Sequence, residues 1–349
     1  MKRKLLILFG IMLFMIMVGS IIIKISSKNF ATELTKSEDK LQVVTSFYPV
    51  YMIGLNLAEG IDNMEVKSLT DLKTGCLHDY QLTTEDMKII SAADVMIING
   101  GGMEGFLNDI MTNYPNLTII DASEGIEMIP SEEVHSDGET VNVPDTSKVI
   151  NGDGANKAEN GTELSNIGWN AHVWLDPQLY IKQVEKIANG LNDYLNTTEA
   201  ADPSIADKIR SNSDTYISKI TELDRSITEL ANTWSDDNRL GNKEAVIFHD
   251  SFAYLARRIG INVAYSIPLD SDTSLSAGEI GKIVDEVKAG DIKYLFTEEQ
   301  FSDSIASQIA AETGATESII DSAVTGDGSK DSYLTAMKKN IETLKKLVK

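Results

Sequence analysis

Two batches of short apolar runs, each run followed by a helical pattern, constrain this chain more than any other feature. Residues 41–46 (around Val43 and Val44), 64–68, 95–98 and 117–120 read as strands, and 245–248, 261–264, 294–297 and 318–320 repeat the series. Between the batches, Ile205, Ile209, Tyr216, Ile220, Leu223, Ile227 and Leu230 recur mostly at three- and four-residue steps, the signature of one long amphipathic helix. Strands alternating with helices predict an α/β protein. The expected architecture has two lobes, each a mostly parallel sheet flanked by helices, joined by one long rigid helix. The expected divisions are 1–40 for an N-terminal signal or membrane anchor with its tether and 41–201 for the N-terminal lobe. Residues 202–236 are the connecting helix and 237–349 the C-terminal lobe.

Local signals sharpen that outline. Thr83 with Asp86, and Ser276 with Glu279, form capping boxes that open helices. Asp176-Pro177 reads as an N-cap followed by proline at the first helical position, and 332–347 as a final helix. Asn99-Gly100-Gly101-Gly102-Met103-Glu104 lacks the spacing of a phosphate loop and reads as a tight strand-to-helix turn. Residues 131–168 are rich in acidic and small polar residues, an acidic flexible insert within the first lobe.

The N-terminus sets the compartment. Lys2-Arg3-Lys4 precedes an uncharged apolar run, residues 5–23, long enough to span a bilayer. An uncleaved anchor holding the rest at the outer membrane face is the expectation, with signal cleavage near Val18-Gly19-Ser20 as the rival. The formal net charge of -22 repels phosphate backbones and argues against nucleic acid as a partner. Cys76 is the only cysteine, so no disulfide forms within the chain.

Only four histidines occur, and three sit where a strand or turn meets a helix: His78, His172 and His249. Binding sites in open parallel sheets lie beyond the carboxyl ends of strands, so these three are expected to converge on one divalent transition metal ion. Asp321, after the 318–320 strand, is the expected fourth ligand, with Glu298 the competing carboxylate. Three imidazoles and a carboxylate suit Zn2+ best, with Mn2+ as the alternative. His135, beside Glu132, Glu133 and Asp137 in the insert, reads as part of a solvated loop, a weak accessory ligand being the other reading. Cys76 is a softer donor two residues before His78 and reads as a small loop residue, metal ligation being the other reading.

The stretches 45–49, 75–80, 99–106, 172–177, 248–252 and 332–334 together resemble the cluster A-I metal solute-binding proteins of ABC importers, zinc-type. The resemblance spans about residue 41 to the C-terminus. It implies two α/β lobes with the metal between them, His78, His172, His249 and Asp321 as ligands, and an ABC permease as partner. It implies extracytoplasmic capture by a monomer, without catalysis, because four protein ligands leave no open position on a tetrahedral zinc ion. The alternative is an extracytoplasmic zinc hydrolase with an open water site, for which Glu298 would be the base.

Overall fold

Short strands with few polar residues have to be buried on both faces, and a chain supplying eight of them needs helices above and below each sheet. The computed structural model describes residues 40–130, 168–197, 202–236, 243–267, 275–299 and 305–348. The N-terminal apolar run, nearly all of the acidic insert and His135 lie outside these. Among the described residues no helix is long and apolar enough to cross a membrane.

The first sheet comprises β1 (Leu41–Thr45), β2 (Met64–Ser68), β3 (Val95–Ile98) and β4 (Thr118–Asp121), in the order β2-β1-β3-β4. The second comprises β5 (Glu244–Ile247), β6 (Asn262–Ser266), β7 (Tyr294–Thr297) and β8 (Thr316–Ile319), in the order β6-β5-β7-β8. The two lobes therefore repeat one topology. The β1–β3, β3–β4, β5–β6, β5–β7 and β7–β8 pairings are all parallel. In each sheet the chain leaves the central pair in opposite directions, which opens a crevice at the carboxyl ends of β1 and β3 and of β5 and β7.

Helices α1 (Tyr48–Leu57), α2 (Thr84–Ser91), α3 (Leu107–Asn113) and α4 (Pro177–Thr197) accompany the first sheet. After α5 (Pro203–Asp236), the second lobe adds α6 (Phe252–Ile259), α7 (Ala277–Ala289), α8 (Ile305–Thr313) and α9 (Ser332–Leu347). Both expected capping boxes form, at Thr83–Asp86 and Ser276–Glu279. Asp176 accepts the Gln178 N–H at 2.9 Å and starts α4 as its residue type predicts. Helix α3 is the one that the turn at Asn99–Glu104 announces, whereas α8 has no counterpart in the sequence reading. Strand β8 begins two residues before the expected 318–320, because parallel pairing with Tyr294 and Leu295 recruits Thr316 and Glu317 despite their polarity.

Helix α5 runs 34 residues, about 51 Å at 1.5 Å per residue. Ile209, Ser213, Tyr216, Ile220, Leu223, Ile227, Leu230 and Trp234 form one buried stripe at alternating steps of four and three. Each large member contributes roughly 1.5–3 kcal/mol by leaving water. The stripe packs on α1, α4, α6 and α9, so a single rod touches helices of both lobes. Tyr180 of α4 lies ring to ring with Tyr333 of α9, centroids 3.9 Å apart, and its hydroxyl is 3.4 Å from that of Tyr216. The Tyr333 hydroxyl donates to the Trp174 carbonyl, and the Trp174 ring N–H donates to the Ser322 carbonyl, each at 2.8 Å. Paired buried polar groups of this kind resist sliding of the two lobes, because separation would orphan them.

Candidate metal centre

The two central crevices carry different chemistry. In the first lobe the turn after β3 uses Gly100, Gly101 and Gly102, all at positive φ (80°, 66° and 87°), which glycine alone adopts at little cost. Glu104 folds back into that turn. It accepts from the Ser46 hydroxyl at 2.7 Å and from the Asn99 and Gly100 N–H groups at 2.8 and 3.1 Å. Burial, the largest influence, raises its carboxyl to about 7, against the lowering effect of those three donors. Asn99–Glu104 is thus the tight turn its glycines suggest, plugged by a carboxylate.

That plug supports the segment carrying His172. The Asn99 amide donates to the Ala171 carbonyl at 2.9 Å and is held in turn by Gln183 at 3.0 Å. Asn170, following the Pro130–Trp169 bridge, is pinned through its N–H to the Ile129 carbonyl at 2.9 Å. Its side-chain oxygen meets both the His172 N–H and Nδ1 at 3.0 Å, while its amide donates at 2.7 Å to the Asp250 carbonyl of the other lobe. His172 is wholly buried, at 0% exposure, with Nδ1 committed to Asn170. A ring whose Nδ1–H is so held presents the Nε2 lone pair outward. Burial, then the neighbouring His249 and His78, holds this imidazole well below its ordinary pKa, so it stays neutral.

His249 follows β5 at the second lobe's crevice. The Phe248 N–H still pairs with the Phe296 carbonyl, so the strand delivers His249 to the sheet edge. Its ring is buried, 4.9 Å from that of His172 between centroids. Nδ1 accepts the Ser251 N–H at 3.2 Å and lies 3.5 Å from Glu298, at the end of neighbouring β7. Glu298 also accepts from Ser322 at 3.1 Å and Ser251 at 3.5 Å, and burial raises its pKa. Asp321 stands beside it, its negative charge adding to that rise. Its carboxylate accepts the Ala323 N–H at 2.9 Å, and Asn340 clamps its backbone on both sides at 2.8 and 2.7 Å.

The structure therefore gathers the rings of His78, His172 and His249, with His78 5.3 Å from His172 between centroids. His78 is exposed at the lip of the cleft. Cys76, which reads from sequence as a small loop residue, stands against this cluster. Its sulfur lies 3.3 Å from His172 Nε2, and Cys76, His172 and His249 each set one donor atom within 4.8 Å of the other two. Its spacing of two from His78 was the available signal, since alternate residues of an extended loop share a side.

Two α/β lobes of this topology, with imidazole and thiol groups gathered between them, are the architecture of a metal solute-binding protein. The chain belongs to the family of zinc-uptake complex component A, periplasmic (ZnuA), whose model matches residues 43–347. It is 29% identical over 330 residues to the zinc-binding protein AdcA of Streptococcus pyogenes serotype M6, covering 90% of this chain and 58% of that one. This chain thus spans little more than half the length of that relative. It is 25% identical over 314 residues to the high-affinity zinc uptake system protein ZnuA of Bacillus subtilis, covering 88% and 87%. The fold matches the Zn(II)-bound ZnuA-like domain of Streptococcus pneumoniae AdcA with a TM-score of 0.64 at 23% identity, covering 88% of this chain and 99% of that one. It matches the SBP FpvC of Pseudomonas aeruginosa in complex with Mn2+ with a TM-score of 0.68 at 21% identity, covering 88% and 98%.

Proposed function

We propose that this protein captures zinc outside the cytoplasm and delivers it to an ABC permease, held at the membrane face by its N-terminal apolar run. The observation that carries this reading is the convergence of the His78 and His249 rings on His172, from loops far apart in the chain. His78, His172 and His249 supply the nitrogen donors. Asp321 and Glu298 bring negative charge to the same cleft, Asp321 being the carboxylate that the resemblance makes the fourth ligand. Glu298 lies 3.5 Å from Nδ1 of His249, on the ring edge that also takes the Ser251 N–H. The same engagement with His249, Ser251 and Ser322 occupies the carboxylate that a hydrolase would need as its base. Zinc-binding relatives and the imidazole-rich donor set both favour zinc over manganese.

Protein exposed to equal amounts of zinc and manganese, then dialysed, is expected to retain about one zinc ion per chain by mass spectrometry. Retention of manganese instead would overturn the assignment of zinc, and retention of neither would overturn capture.

Asn170 offers a second test because it fixes the His172 ring without reaching the cleft. Asn170→Ala is expected to weaken zinc binding by roughly 10–100-fold, the usual effect of losing a group that orients a ligand. Competition titrations giving the wild-type affinity would remove Asn170 from this role.

A further inference from the structure

We propose that Cys76 supplies a sulfur ligand to the captured metal, in the position that the three-histidine reading leaves to a carboxylate. The inference rests on the capture function proposed above and assigns the donor that sets its selectivity. Asn170 commits Nδ1 of His172, so Nε2 is the nitrogen facing the metal position, and that nitrogen lies 3.3 Å from the Cys76 sulfur. A tetrahedral zinc ion bound at ~2.3 Å to sulfur and ~2.0 Å to nitrogen separates those donors by ~3.5 Å. The observed gap is already close to that edge of the tetrahedron.

The wider grouping points the same way. Among the described residues, Cys76, His172 and His249 form the donor group that closes within 4.8 Å, and His78 contributes no atom to it. The His78 ring stands next to His172 from the exposed lip, placed to supply the fourth donor. Asp321 contributes no atom to that group; one of its carboxylate oxygens accepts the Ala323 N–H, and Asn340 holds its backbone. A thiolate carries the same single negative charge as the carboxylate it replaces, so the net charge of the site is unchanged. On binding, the sulfur–metal bond forms as the thiol proton leaves to solvent. A sulfur donor favours zinc and disfavours manganese, which takes oxygen ligands.

Cobalt in place of zinc reports the ligands directly in the full-length protein. Wild type loaded with Co2+ is expected to show a near-ultraviolet sulfur-to-cobalt charge-transfer band beside the visible bands of tetrahedral cobalt. Cys76→Ser is expected to lose the near-ultraviolet band while keeping cobalt, and its preference for zinc over manganese should fall by at least roughly tenfold. Wild-type protein that binds cobalt with visible bands but no sulfur band would overturn the role of Cys76 and leave capture intact. Wild-type protein that takes up neither cobalt nor zinc would overturn capture, and this inference with it.

Discussion

Replacing His172 by alanine is expected to abolish useful zinc capture, lowering affinity by roughly 10²–10³-fold. The figure follows from sharing a zinc-binding free energy of about 10–16 kcal/mol among four ligands. His172 is the member of the cluster with rings on both sides, His78 at 5.3 Å and His249 at 4.9 Å, and Trp174 lies 5.0 Å away. It is also fully buried, so no water takes its place without entering a site lined by Trp174. His172→Gln preserves most of the volume and separates lost ligation from lost packing. His78→Ala removes an exposed ring and is expected to cost less than either. Metal content after dialysis and competition titration measure the loss, and a His172→Ala protein that retained stoichiometric zinc would reject the proposed site.

Removing Glu104 is expected to cost stability rather than metal affinity. Glu104→Ala orphans a serine hydroxyl and two backbone N–H groups that are buried at the ends of β1 and β3. The loss expected is on the order of 4 kcal/mol, since unsatisfied buried donors cost about 1–3 kcal/mol each and do not add fully. The same residue gives stability a distinctive pH dependence. Its folded pKa of about 7 lies above the ordinary carboxyl value, so the folded state holds the proton more tightly than the unfolded chain. Its contribution is therefore complete below about pH 4.5 and lost as pH rises through about 7. The change amounts to about 3 kcal/mol at 1.36 kcal/mol per unit. Denaturant unfolding between pH 5 and 8 should show wild type losing stability relative to Glu104→Gln, which cannot ionise. Parallel pH profiles for the two proteins would show that Glu104 is ionised throughout.

Much of this was legible from local chemistry. Val43-Val44 and Val95–Ile98 announce strands because a buried parallel strand tolerates no polar face, and Thr83–Asp86 announces a helix because the box closes within four residues. The α5 stripe shows in the sequence because its spacing matches the turn of a helix. Glu104 was not legible in this way. A glutamate after three glycines reads as solvent-facing, and only the approach of Ser46 from another strand makes it a buried plug. Cys76 was legible only in its spacing of two from His78. Buried Leu77 anchors the loop, and the turn closed by the Tyr80 N–H on the Leu77 carbonyl leaves His78 at the lip, so Cys76 faces His172.

The sequence by itself determined the two α/β lobes, the long helix and the three histidines at strand and turn ends, because hydrophobic period, capping and residue type act over a few residues. Only the tertiary structure decided which donors meet. Asn170, Cys76, His249 and Glu298 come from loops separated by tens of residues, and their distances follow from how the two sheets are held by α5 and α9. Donor distance governs coordination, and no local pattern encodes it.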